Sequence, residues 1–268
     1  VKLNGKGVAH GRAPAKVPAC RSLGQGILPI RMPAVEKVSV VQVGATLLDA
    51  SGKPIHDRTI ELRIFPRLGR REVLPWVPGG SAKTIGWLGE LGAKATARPK
   101  GEVSLIVISN WATYEKSRAE IDAAVRGGAV ALFMPLPPGV YRLGEQEITV
   151  RVAGMGPRHF VSGATGHPWV EGFGPEDFKF WHFASLGHSS PILMTVLEGR
   201  GWNTVLRSGD GGWLRPWDYV PVVVERAEGK GRWVVCQVEL ASTVETNPTA
   251  ARFAQNLMAG KNLFISHA

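Results

Sequence analysis

The apolar positions of this chain change rhythm twice. Residues 1–34 are rich in Gly, Pro and Ala, carry basic side chains and keep no period, which reads as an extended edge strand with a linker, or as partly disordered chain. From 35 to 68 the pattern alternates. VSVVQVGATLLDA, the turn SGKP and HDRTIELRIFPR predict a β-hairpin, and Ile60, Leu62 and Ile64 put apolar side chains on one of its faces.

From about residue 69 the rhythm becomes strand then helix. VLPWVP (73–78) predicts a short buried strand. Ser81 is placed to cap a helix that runs through Leu91 and stops at Gly92. AKATA (93–97) predicts a second strand. VSLIVIS (103–109) predicts a third, apolar throughout, as a parallel strand covered on both faces should be. Thr113 is a candidate cap for the helix YEKSRAEIDAAVR, whose stripe of Ala119, Ile121, Ala124 and Val125 ends at Gly127-Gly128. AVALFMP (129–135) follows as a fourth strand. This alternation predicts right-handed βαβ units with 103–109 and 129–135 central and parallel.

The second half is richer in β signals. EITVRVAG predicts a strand, and HPWVEGFGPEDFKFW a loop with short helical turns. YVPVVVERAEGKGRWVVCQVEL predicts a hairpin turning at Gly229 and Gly231. Asn247-Pro248 opens a last helix, TAARFAQNLMAG.

Composition narrows the function. The 268 residues suffice for one large or two modest domains. The net charge of +10 gathers partly at the N-terminus, where Lys2, Lys6, Arg12, Lys16, Arg21 and Arg31 precede the first acid, Glu36. No basic block alternates with aromatics, so the expectation is no nucleic-acid partner. No stretch is long and apolar enough for a spanning helix, so no membrane partner is expected either. Cys20 and Cys236 form no metal-ligand spacing, and no metal or cofactor is expected. Cys236 lies in an apolar run and reads as a buried, unpaired thiol. Val1 is not an initiator, so the chain reads as a mature or excised fragment.

Three segments in this order carry a resemblance: AAVRGGAVALFMP, GHPWVEGFGPEDFKFW, and GKGRWVVCQVEL followed by NPTAARFAQNLM. Together they resemble the non-catalytic, glutamine-amidotransferase-like domain that follows the barrel in multidomain glycoside hydrolases of family 2. Residues 20–68 similarly resemble the end of the immunoglobulin-like β-sandwich before that domain. The resemblance implies an α/β fold, a flavodoxin-like (class I amidotransferase-like) sheet with helices on both faces, over 69–268. A partial β-sandwich-like segment and linker would occupy 1–68. It also implies a secreted or periplasmic parent enzyme, a β-galactosidase- or β-glucuronidase-like hydrolase, and a structural role for this piece. The partner would be the catalytic barrel of the same parent protein or a homo-oligomer partner.

Class I amidotransferases carry a nucleophilic Cys at a sharp turn after the strand that corresponds to AVALFMP, and a His-x-Glu pair near the C-terminus. Here the turn position is Pro135-Leu136-Pro137-Pro138-Gly139, and no His is followed two residues later by Glu. Family 2 glycosidases place their acid after an Asn, and no Asn-Glu dipeptide occurs. No catalytic residue is therefore assigned. Two loop-rich segments remain as candidate sugar-binding sites through Trp stacking: His167, Trp169, Asp177, Trp181 and His182 in one, and Trp213, Trp217 and Asp218 in the other. The competing reading has the His and Asp groups tie down loops while the Trp rings fill the core. The alternatives to a structural domain are thus a carbohydrate-binding module and an independent hydrolase.

Overall fold

The computed structural model describes residues 1–16, 30–66, 73–98, 101–154, 161–162, 166–178, 180–183, 186, 188–191, 195–212 and 215–259. It divides into two units, Val1–Arg67 and Leu68–Ala268. In the first, β1 (Lys2–Leu3), β2 (Lys6–Gly7), β3 (Ser39–Leu48) and β4 (Pro54–Ile64) form one antiparallel sheet in the order β2-β1-β3-β4. The β3–β4 turn is closed by Asp49, whose Oδ1 accepts from the backbone N–H groups of Ser51 (2.9 Å) and Lys53 (2.8 Å). The alternation places Val41 opposite Leu62 and Val43 opposite Ile60 on one face.

The second unit is mixed α/β. Its main sheet contains β5 (Leu105–Ile108), β6 (Val130–Phe133), β9 (Val161–Ser162), β13 (Asn203–Gly212), β14 (Arg215–Glu228) and β15 (Gly231–Cys236), in the order β5-β6-β15-β14-β13-β9. A second sheet holds β7 (Gly139–Leu143), β8 (Gln146–Val152) and β12 (Thr195–Glu198). A third pairs β10 (Phe180–Phe183) with β11 (His188–Pro191). β5, β6 and β15 run parallel, while β15, β14, β13 and β9 pair antiparallel. β15 is therefore the strand at which the sheet changes sense.

The expected strands at 73–78 and 93–97 shrink to single parallel bridges, Trp76 with Thr96 and Trp76 with Ile106. Pro75 and Pro78 flank Trp76 and lack the N–H groups a longer ladder needs. The chain still makes ladder-like bonds, with Trp76 N donating to Leu105 O at 2.9 Å and Val77 N to Thr96 O at 2.7 Å. The five parallel segments therefore lie in the order Thr96, Trp76, β5, β6, β15.

Helices cover both faces of this sheet. On one face α1 (Ala82–Glu90) and α4 (Pro248–Ala259) bury Trp87, Leu88, Ala250, Phe253 and Leu257 against Val107, Leu132, Val234 and Cys236. On the other, α2 (Trp111–Lys116) and α3 (Arg118–Gly127) bury Tyr114, Ile121 and Val125 against Ile106, Phe133 and Trp233. Ser81 caps α1 by accepting from Thr84 N, as expected. Thr113 is not the cap of the next helix. Asn110 takes that role, accepting from Thr113 N at 2.9 Å, and the helix breaks at Ser117 into α2 and α3. The earlier start lets Trp111 pack on Tyr114, Phe133 and Tyr141. Cys236 is buried and unpaired, and desolvation pushes its thiol up to about 12. Cys20 lies outside the described residues.

Two glycines set the place of β15. The β14–β15 turn folds onto the end of α3, with Lys230 N donating to Arg126 O (3.0 Å) and Arg232 N to Ala129 O (3.1 Å). A Cβ on Gly231 would lie 2.1 Å from Ala129 O and 2.2 Å from Val125 O. Gly229 has φ +58° and a Cβ there would lie 2.7 Å from Arg126 O.

Thermal melts test this packing at three points. Val107→Asp or Leu132→Asp should abolish cooperative folding of the second unit, since both side chains are fully buried and the new charge has no partner. Gly231→Ala should cost at least about 2 kcal/mol through backbone overlap. Gly86→Ala, in α1 with open space around it, should instead stabilise by about 0.5–1 kcal/mol.

Candidate functional site

The residues singled out from the sequence fall in three settings. His167 precedes the 3₁₀ turn Pro168–Val170, and its Nδ1 accepts from Trp169 N at 3.2 Å. Its Nε2 lies 3.8 Å from the Oε1 of Glu225 on β14. The same carboxylate accepts from Arg232 Nη1 (2.8 Å) on β15 and from Asn203 Nδ2 (3.2 Å) on β13. Trp169 is fully buried, its ring 4.8 Å from the imidazole and 5.8 Å from the Arg232 guanidinium carbon. Its backbone carbonyl accepts from Asn256 of α4 at 2.8 Å. Loop, sheet and helix are tied together here by one buried polar network.

Asp177 and Trp181 form the second setting. Asp177 Oδ2 accepts from Gly174 N at 2.7 Å, and its backbone carbonyl accepts from the Trp181 indole at 2.8 Å. Trp181 is 2% exposed and packs beside Phe178, which meets Phe253 of α4. The His182 side chain is exposed, but its backbone is held: its N–H donates to Asn247 Oδ1 (2.9 Å) and its carbonyl accepts from Asn247 Nδ2 (2.7 Å). Indoles buried to this degree have no face left for a sugar ring, and Trp181 sits on β10 where the sequence predicted a loop.

The third setting is the β13–β14 hairpin. Asp218 is exposed on β14 and accepts from Tyr219 N. Trp217 belongs to the same strand, and Trp213 lies outside the described residues. Opposite Asp218 stands Asp210, which is buried, accepts from Gly154 N at 2.8 Å and pairs with Arg151. Arg151 also binds Glu198.

Glu225, Arg232, Asn203 and Arg151 were not singled out from sequence. The signal for Glu225 was its spacing: period two puts it on the same face as the buried Val223. An open cavity of about 570 Å³ beside the β7–β8 turn, lined by Arg142, Glu145, Glu147, Glu198 and Arg200, contains none of the eight candidates.

The end of β6 carries no reactive side chain. The chain runs through Met134 and Leu136, both buried, directly into β7, and Tyr141 OH donates to Pro137 O at 2.7 Å. The buried carboxylates Asp177, Asp210 and Glu225 all accept hydrogen bonds from groups that hold the fold.

No family model matches the chain, and no curated protein matches it at a significant level. Solved structures do resemble it. A cytoplasmic protein of Salmonella typhimurium, STM3548, is similar over 81% of this chain and 95% of its own, at 12% identity and a TM-score of 0.42. The cold-adapted beta-galactosidase of Rahnella sp. R3 is similar over 70% of this chain and 31% of its own (14% identity, TM-score 0.40). A GH42 beta-galactosidase of G. stearothermophilus is similar over 71% and 30% (11% identity, TM-score 0.37). The chain thus spans about a third of the length of these hydrolases and nearly all of the smaller protein.

The Glu225 network makes an acid-stability prediction. Burial pushes this carboxyl up, but hydrogen bonds from His167 and Asn203 and the charge of Arg232 outweigh it and hold the group below its ordinary value of 4.5. A lowered folded-state value contributes stability that is full above the ordinary value and lost as pH falls through the folded one. Glu225→Gln should lower stability at neutral pH and flatten the acid limb below pH 4.5, read from denaturant midpoints across pH. An unchanged acid limb would show that the network does not hold the carboxylate.

Proposed function

We propose that the second unit is a non-catalytic accessory domain of a carbohydrate-degrading glycoside hydrolase, of flavodoxin-like, amidotransferase-like topology. The parallel order Thr96, Trp76, β5, β6, β15 supports this topology. Taken in chain order it is 2-1-3-4-5, the arrangement of flavodoxin-like sheets. In such sheets ligands favour the carboxyl ends of the strands. The observation that carries the non-catalytic reading is the exit from β6, where a nucleophile turn would stand and where the proline-rich run Met134–Pro138 passes into β7 instead.

The parent is read as family 2-like from the sequence resemblance, with the unit packed on the catalytic barrel or on a partner subunit. An upstream barrel in the same reading frame is the expected genomic setting. Sugar binding in this chain would belong to the β13–β14 hairpin with Trp213, Trp217 and Asp218, because Trp169 and Trp181 serve the core.

The test is direct. The purified chain should show no saturable hydrolysis of aryl glycosides and no release of ammonia from glutamine. A saturable rate that disappears on substituting Asp177 or Asp210 while the fold persists would overturn the accessory reading.

A further inference from the structure

The cavity beside the β7–β8 turn belongs to neither the Glu225 network nor the loops that carry the indoles. It lies on the small sheet β12-β8-β7, on the face away from the buried Tyr141, Ile148 and Leu197. Its volume of about 570 Å³ falls within the roughly 300–1,000 Å³ of small-ligand sites. Arg142 of β7 stands opposite Glu147 of β8, and Thr149 of β8 opposite Glu198 of β12. Glu145 in the turn and Arg200 beyond β12 extend the lining.

The walls are fixed to one another. Trp202 donates its indole N–H to Glu147 O at 3.2 Å, and a Cβ on Gly199 would lie 3.0 Å from that same oxygen. The end of β12 is thereby held against the start of β8. Glu198 is gripped from behind by Arg151, which also pairs with the buried Asp210. A site arranged in advance loses less freedom on binding. The remaining charges are not spent on each other. The side chains of Arg142, Glu145, Glu147 and Arg200 make no hydrogen bond or ion pair among the described residues.

The charge pattern selects the class of ligand. Facing residues of an antiparallel pair lie about 4.5–5.5 Å apart, so Arg142 and Glu147 set opposite charges side by side. A compact anion brought to the guanidinium meets the carboxylate of the next strand, and a cation meets the reverse. The lining holds no aromatic or large aliphatic side chain to reward an apolar ligand. Hydroxyl groups suit both kinds of wall, because each can accept from a guanidinium and donate to a carboxylate.

We propose that this cavity binds a neutral saccharide of one or two rings through polar contacts alone. It is separate from the β13–β14 hairpin, where a sugar would stack on indole. The choice of sugars among neutral polyols rests on the carbohydrate reading of the second unit.

The probes are lactose, cellobiose and maltose, titrated into the millimolar range against the full chain, with glucuronate and glucosamine as charged counterparts. Backbone amide resonances within 142–149 and 198–200 should shift saturably with at least one neutral sugar, and the charged probes should bind more weakly. Arg142→Gln and Glu147→Gln should each weaken binding about tenfold, the scale of a hydrogen bond to a charged group. Both residues are exposed, so circular dichroism of these variants should match the parent protein. Trp217→Ala should leave the affinity unchanged. The proposal is overturned by the absence of saturable shifts at these residues with all three neutral sugars, or by tighter binding of either charged probe. Loss of binding in Trp217→Ala, with Arg142→Gln and Glu147→Gln unaffected, would overturn it as well. Failure of sugar binding leaves the non-catalytic reading intact, whereas aryl glycoside hydrolysis by this chain would sink that reading and leave the cavity's sugar binding to stand on its own titration.

Discussion

The close approach of two backbones at the foot of β15 sets the architecture of the second unit. The turn after β14 lies on the carbonyls of Val125, Arg126 and Ala129, and no side chain fits between them. Hydrogen bonds from Lys230 and Arg232 then seat β15 beside β6 in one register, Arg232 opposite Val130 through Val235 opposite Phe133. The antiparallel half of the main sheet hangs from that placement, because β14 pairs with β15, β13 with β14 and β9 with β13. A displaced β15 would carry the whole antiparallel half with it and would expose Val234 and Cys236 on one face and Trp233 and Val235 on the other.

The same placement decides where polar groups end up. Glu225 and Arg232 sit on the α4-covered face because their strands put them there, and burying a carboxylate is costly unless it is paired and hydrogen-bonded. His167 and Asn203 complete that pairing from a loop and a third strand. Cutting one partner would leave the rest buried and unsatisfied, which is the costly outcome. The network is therefore a lock between the 167–170 loop and the sheet. It is built from the residue types of an active site, but its groups are turned toward one another.

Legibility followed the strength of local pattern. The runs 105–108 and 130–133 were readable because a strand covered on both faces leaves no polar position to confuse it. The hairpin at Gly229–Gly231 and the helix after Asn247-Pro248 carried their own punctuation. The segments around Trp76 and Thr96 had the right composition, but the prolines flanking Trp76 limited their pairing to a bridge. The start of α2 was missed because Asn110 and Thr113 are both good caps, and only the packing of Trp111 on Tyr114 and Phe133 decides between them. The segments carrying His167 and Trp181 held no periodic signal at all. A Trp between glycines and prolines reads equally well as a stacking platform or as a plug for the core, and the difference lies in which strands and helices arrive above it.

That ambiguity bears on what the chain can offer a partner. The indoles of Trp87, Trp169, Trp181 and Trp233 are spent on packing. The carboxylates Asp177, Asp210 and Glu225 are spent on holding loops and strands together, and the end of β6 is closed by buried apolar side chains and proline. Among the described residues, the β13–β14 hairpin runs past β15 and the β7–β8 turn presents a charged rim. Surfaces of that kind recognise partners through charge and hydrogen bonding. Stabilising a developing charge on a substrate asks for something else, donors aimed at the reacting atom.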